Sequence, residues 1–464
     1  MIQALIDYYR ISEDAIGVLT PTEDIAGNKG LSHFATTNAT TGQSLSHALE
    51  DMVRSVQLAV LGDNRLEDAD LPLPFDFSEL IENIRLERYR RGMVAGNEVF
   101  AGSEPIRRIY YLIRSGLPAP VRRHLQRVYF RNWQKLPFPA WPVDLTVENL
   151  HEQFLRLLME ARGVKEVPFI WFWPEGASNC LIMTHDVETS AGRNFSSKLM
   201  DLDDSCGIKA SFQVIPEKRY TVSDQYVREI RNRGFEFNIH DLNHDGHLYR
   251  EREEFVLRAA KINAYVRQYG SQGFRAGAMY RNQEWYDLFE FSYDMSVPNV
   301  AHLEPMRGGC CTIMPYFIGN ILELPLTTVQ DYSLFHILND YSTDIWKQQL
   351  NIIRKRNGLM SFIAHPDYLI EKRARRVYES LLDHLRQRIA DENIWHALPG
   401  EVDQWWRARS QMRLVNRNGK WSIEGPQSER ARVAYATTEE GSLVLKLKSE
   451  SAEAEIQPTV RPSL

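Results

Sequence analysis

Apolar and polar residues alternate in three regimes along this chain of 464 residues. From residue 1 to about 165, apolar positions recur at helical spacing in 44–61 and 77–91, between turn-rich polar stretches such as 36–43. From about 178 to 408, short β-type apolar runs alternate with amphipathic segments. The runs predict strands at 180–184, 210–215, 235–240, 273–278, 291–297, 321–327 and 359–365. Helices are predicted between them, for instance at 224–233, 253–268, 344–356 and 372–389. Such alternation is the signature of βα units around a parallel sheet, and seven units suggest an α/β barrel.

Past Met412 the period shortens. Asn418-Gly419 lies between two short runs and predicts one hairpin, and Glu440-Gly441 predicts a second. The expected division is an N-terminal region of mixed, mainly helical character at 1–165, a barrel at 166–410, a small β appendage at 411–450 and a disordered tail at 451–464.

Composition changes this picture little. A hydrophobic fraction of 43% and a charged fraction of 25% are ordinary for a globular protein. A net charge of -6 gives no global reason to expect a nucleic-acid partner. Cys180, Cys206, Cys310 and Cys311 contain no C-x-x-C pair, which fits a reducing compartment better than a disulfide framework. With no signal-peptide pattern at the start and no uncharged apolar run of about 18 residues, the expected location is cytoplasmic.

One local stretch departs from the average. Between 105 and 143 stand eight Lys or Arg residues and no Asp or Glu, interleaved with Tyr110, Tyr111, Tyr129, Phe130, Trp133, Phe138 and Trp141. Two readings stay open: a peripheral contact with an anionic membrane or a phosphorylated carrier, and a solvated helix face whose aromatics pack inward, the commoner fate of a charge run.

The candidate chemistry gathers at the carboxyl ends of the predicted strands, where parallel sheets and barrels place their reacting groups. In Phe235-Glu-Phe-Asn-Ile-His240, apolar residues alternate with Glu236, Asn238 and His240, so one face of a parallel strand is polar. His240 and His244 are four apart at its end, a spacing that lets two imidazoles meet one ion. Two histidines and a carboxylate leave a coordination position open for water. The carboxylate comes from Leu181-Ile-Met-Thr-His-Asp186-Val-Glu188, where alternation puts Asp186 and Glu188 on one side. A capping or salt-bridging role for these acids is the competing reading.

The ordered segments Thr184-His-Asp-Val-Glu188, His240-x-x-x-His244, Gly273-Phe-Arg275-Ala, Leu324-Pro-Leu-Thr-Thr-Val-Gln-Asp331-Tyr and Ile363-Ala-His365-Pro resemble the five motifs of the polysaccharide deacetylases, carbohydrate esterase family four. The resemblance spans roughly 178–408 and implies a distorted, incomplete (β/α)7 barrel. It also implies a divalent metal, zinc first, with cobalt, nickel or manganese as alternatives. By that analogy Asp186 is the general base that activates water and His365 the acid that protonates the leaving amine. Arg275 orients Asp186, Asp331 tunes His365, and the metal polarises the acyl carbonyl. Most members carry two adjacent aspartates in the first motif; Val187 stands in the second place here, so Glu188 is assigned as ligand with His240 and His244. The two acids' roles could be exchanged. The third motif lacks its usual proline and aromatic and has Gly277 and Tyr280 nearby.

Tyr280 and His247 are candidate substrate contacts, His185 is expected to turn into packing, and Trp285, Trp395, Trp405 and Trp406 are candidate sugar-stacking surfaces that more often serve packing. The implied activity is removal of N-acetyl groups from a nucleotide-linked, lipid-linked or oligosaccharide amino sugar. Two rivals remain: hydrolysis of a cyclic imide or ureide, seen in relatives with a divergent first motif, and a decayed site that binds glycan in polysaccharide biosynthesis.

Overall fold

A computed structural model describes residues 2–12, 76–90 and 119–447. The expected helix at 44–61 and the tail at 451–464 lie outside the described residues. Helices α1 (Gln3–Tyr9), α2 (Phe77–Arg85), α3 (Ala119–Phe130) and α4 (Thr146–Ala161) precede the first strand, β1 (Glu166–Ile170). The α/β part then runs β2 (Asn179–Val187), α5 (Ser190–Ser205), β3 (Ala210–Val214), α6 (Asp224–Asn232), β4 (Glu236–His240), α7 (Arg252–Tyr269), β5 (Gly273–Arg275) and β6 (Tyr293–Asp294). It continues through β7 (Tyr316–Ile318), β8 (Ile321–Glu323), α8 (Asp344–Arg354), β9 (Leu359–Ile363), α9 (Pro366–Leu369), α10 (Lys372–Asp391), β10 (Ile394–His396) and α11 (Pro399–Gln411).

All seven strands expected from the apolar runs are present. β9, β2, β3, β4, β5, β6 and β8 lie side by side and parallel, with β7 added antiparallel at the β8 edge. β2 is buried along its whole length, as a central parallel strand covered on both faces must be. The sheet curls into an incomplete barrel. No backbone ladder joins β8 to β9 among the described residues; threonine hydroxyls cross that seam instead. Thr327 donates to the Leu359 carbonyl at 2.8 Å and accepts the Ser361 N–H at 2.9 Å, while Thr328 donates to the Ser361 carbonyl at 2.7 Å. Side-chain bonds satisfy backbone groups that would otherwise be buried and unpaired.

Both hairpins expected past Met412 form, as β11 (Arg413–Arg417) with β12 (Lys420–Glu424) and β13 (Val433–Glu439) with β14 (Ser442–Leu447). The second is continuous with an earlier part of the chain. β13 pairs antiparallel with β1, from Glu166 opposite Thr437 to Ile170 opposite Val433. The N-terminal helices join the same core. His151 on α4 bridges the Val147 and Ala4 carbonyls at 2.8 and 3.2 Å, and Phe77 stacks on Phe154 with ring centroids 4.2 Å apart. The buried Arg409 of α11 donates to the carbonyls of Ile170, Trp171 and Tyr8, tying three regions at one guanidinium.

Candidate metal centre and acid–base pair

Strand alternation orients the site. Along β2, Asp186 and then Glu188 just past its end face the barrel mouth, while His185 turns outward. His185 is buried between the Ala364 carbonyl and Asp203, 2.9 Å from each, which is the packing role expected of it. The Glu188 backbone N–H donates to Asp367 at 3.1 Å, fixing the turn out of the strand.

His240 ends β4 opposite Arg275 at the end of β5. Its Nδ1 faces the Arg275 carbonyl at 3.1 Å and must carry the proton, because a carbonyl only accepts. Nε2 therefore presents a lone pair, and it is buried without a hydrogen-bond partner. The chain then makes a tight loop in which Asp241 and His244 take left-handed backbone angles. Arg219 holds that loop by donating to the Asn243 and His244 carbonyls at 3.2 and 2.6 Å. A side chain on Gly277 would come within 2.6 Å of Asp241 and 3.0 Å of the His244 ring, so any larger residue here must push one of them aside.

Candidate ligand atoms of Glu188, His240 and His244 all lie within 4.8 Å of one another. His244 Nε2 sits 3.0 Å from Glu188 Oε1 but without the alignment of a hydrogen bond. The Nε2 atoms of His240 and His244, both buried without a hydrogen-bond partner, and the Glu188 carboxylate, which accepts only a long 3.5 Å bond from Tyr368, fit a divalent cation with an open position. Burial pushes His240 down to about 4, keeping it neutral as a ligand must be. Burial pushes the Glu188 carboxyl up, but His244 outweighs it and holds Glu188 well below its ordinary value.

Asp186 is occupied otherwise. Arg275 Nη1 donates to Asp186 Oδ1 at 2.7 Å and to Thr184 at 2.7 Å, and Nε donates to the Met295 carbonyl at 2.9 Å. Burial alone would raise Asp186; the Arg275 guanidinium, then His240 and His365, keep it below its usual range. The other oxygen of Asp186 is 3.9 Å from His240 Nε2.

His365 follows β9. Its Nδ1 lies 2.6 Å from Asp331 Oδ1, and its backbone N–H donates to Asp331 Oδ2 at 2.7 Å. This two-point clamp leaves Nε2 toward the pocket, 3.8 Å from Glu188 Oε1. Burial would lower His365, yet Asp331, then Glu188 and Asp186, raise it to about 10, so it stands ready as a proton donor.

All seven residues named for metal and acid–base chemistry thus converge from five strand ends. The remaining candidates divide. Of the two candidate substrate contacts, His247 is partly exposed and 3.9 Å from Asp245, and Tyr280 is buried in the turn after β5. Trp405 and Trp406 are core residues, Trp405 donating to the Phe172 carbonyl at 2.8 Å. Trp395 is in β10, which pairs with the first residues of β2 at the opposite end of the barrel. Trp285 packs on Phe255. Trp395, Trp405 and Trp406 are therefore not stacking surfaces at this mouth, while Trp285 stays partly exposed. The polar face of β4 also splits. Asn238 donates to Ser211 at 2.7 Å, and the Glu236 carboxylate accepts from the Gly400 N–H at 2.9 Å. These two residues satisfy one another's neighbours inside the barrel, leaving His240 as the strand's contribution to the site.

Tyr368 and Asp367 were not singled out beforehand. The Tyr368 hydroxyl reaches Glu188 at 3.5 Å, and its ring lies 4.9 Å from that of His365. The signal was their place directly after His365-Pro366.

No protein-family model and no curated protein matches the sequence. Among solved structures, the chain is similar to a protein described as a polysaccharide deacetylase from Mycobacterium smegmatis, at 17% identity and a TM-score of 0.43, over 51% of this chain and 93% of that one. It is also similar to the Puue allantoinase, at 11% identity and a TM-score of 0.40, over 51% of this chain and 92% of that one. A third is the peptidoglycan deacetylase PdaC from Bacillus subtilis, at 10% identity and a TM-score of 0.33, over 50% of this chain and 93% of that one.

Proposed function

We propose that this chain is a divergent metal-dependent hydrolase of the polysaccharide deacetylase type that removes N-acetyl groups from an amino sugar. The observation that carries the reading is the partnerless, buried Nε2 of His240, grouped with His244 and Glu188 between an arginine-held aspartate and an aspartate-held histidine. His240, His244 and Glu188 would hold the cation. When bound, the cation supplies Lewis-acid polarisation of the acyl oxygen and makes water a better nucleophile.

The chain's own groups carry the proton transfers. Asp186, kept ionised and oriented by Arg275, takes the proton of the attacking water as the new C–O bond forms. Nε2 of His365 delivers a proton to the nitrogen as the C–N bond breaks, yielding acetate and an amine. The Asp331 clamp fixes which ring nitrogen faces the pocket.

The test is acetate release from N-acetylated amino-sugar oligomers by zinc-loaded protein, against Asp186→Asn and His240→Ala. Release by the wild type and its loss in both variants supports the reading. Ring opening of a cyclic ureide without acetate release would replace it, and an inert wild type matched by Asp186→Asn would end both.

A further inference from the structure

Val121, Leu125 and Val128 recur one helical turn apart on α3 and are 43%, 41% and 54% exposed. They are three of the eight large apolar side chains exposed among the described residues, and they form one stripe. The opposite face anchors the helix. Gln126 accepts a hydrogen bond from the Tyr332 hydroxyl, the Tyr129 hydroxyl donates to the Pro305 carbonyl at 3.4 Å, and Phe130 is buried beneath the Arg307 guanidinium, 4.9 Å from its ring. The stripe takes no part in that anchoring.

Along its own segment the charge is of one sign. Arg127, Arg131 and Lys135 are exposed, Arg127 also donating from Nε to the His336 carbonyl at 3.0 Å, and no acidic residue occurs between 105 and 143, in a chain whose net charge is -6. An anionic bilayer surface takes both, with short apolar side chains at the acyl boundary and guanidinium groups among the headgroups.

The helix is also close to the chemistry. Gln126 binds Tyr332, the Tyr332 ring lies 5.5 Å from that of Tyr368, and the Tyr368 ring lies 4.9 Å from that of His365. One pair of tyrosines separates α3 from the acid of the candidate site.

We propose that α3 is an interfacial helix that docks the protein on an anionic membrane surface, with the pocket of His365 and Glu188 beside the contact. The docking stands apart from the reaction catalysed there. It implies that the pocket meets substrates presented at a bilayer.

The experiment is flotation of the full-length protein with vesicles of phosphatidylcholine alone or mixed with phosphatidylglycerol, at low and raised salt. The protein is expected to float with the mixed vesicles only, less so in salt, and L125E/V128E is expected to lower partition about tenfold or more while leaving the melting temperature and turnover of a soluble substrate unchanged. Failure of the wild type to float, or equal flotation of the double variant, overturns the proposal. Binding to polyglutamate in preference to mixed vesicles would assign the surface to an acidic protein and overturn it as well.

Discussion

Asp331 grips His365 at two points, accepting from the ring Nδ1–H at 2.6 Å and from the backbone N–H at 2.7 Å, so one buried carboxylate sets both the position and the tautomer of the imidazole. Asp331→Asn keeps the shape and loses the charge that raises His365. A fall in kcat of about a hundredfold or more with KM little changed is expected, measured by steady-state acetate release. Equal losses in kcat and in thermal stability would instead mark Asp331 as a fold residue.

The two acids of the first motif separate by experiment. Glu188 stands with the histidines, while Asp186 is claimed by Arg275. Asp186→Asn is therefore expected to retain bound metal and lose activity, and Glu188→Gln to lose metal along with activity. Elemental analysis of the purified variants reads the difference, and the reverse pattern would exchange their roles.

Gly277 lies where a methyl group would press on Asp241 and the His244 ring. Gly277→Ala should displace His244 and weaken metal affinity by about tenfold or more, seen by titration with a chromophoric chelator. Unchanged affinity would mean that the loop relaxes without moving the ligand.

Glu87, contributed by the N-terminal region, forms a buried two-pronged pair with Arg281 on the turn after β5, with Arg281 Nε 2.6 Å from Oε2, and also accepts the Gly309 N–H at 2.6 Å. Glu87→Ala strands a buried guanidinium and is expected to cost roughly 3–5 kcal/mol, read from chemical denaturation. Burial raises the Glu87 carboxyl, but Arg281 prevails and its folded value lies below the ordinary 4.5. A lowered carboxylate contributes stability that is present above about 4.5 and lost as pH falls through the folded value. The wild type should lose this increment below about pH 4.5, and Glu87→Ala should show a flatter acid limb.

The sequence by itself determined the seven parallel strands, both C-terminal hairpins and most of the residues at the barrel mouth, because each depends on local periodicity or on a side chain's place at a strand end, while Asp331 was legible only through the resemblance to the deacetylase motifs. Tertiary structure alone decided how these residues are shared out. Alternation puts Asp186 and Glu188 on the same side, and which of them joins the histidines depends on Arg275, 89 residues away, capturing the first. Polar spacing along β4 is the same for Glu236, Asn238 and His240, yet Ser211 and Gly400 satisfy the first two from elsewhere in the fold and leave His240 Nε2 unpartnered. Large aromatics carry no mark of location, so Trp405 and Trp406 became core only when α11 packed between the barrel and β1. The pairing of β1 with β13, and the reach of Glu87 to Arg281, join segments far apart in the chain, and no local pattern of hydrophobicity specifies a partner at that distance.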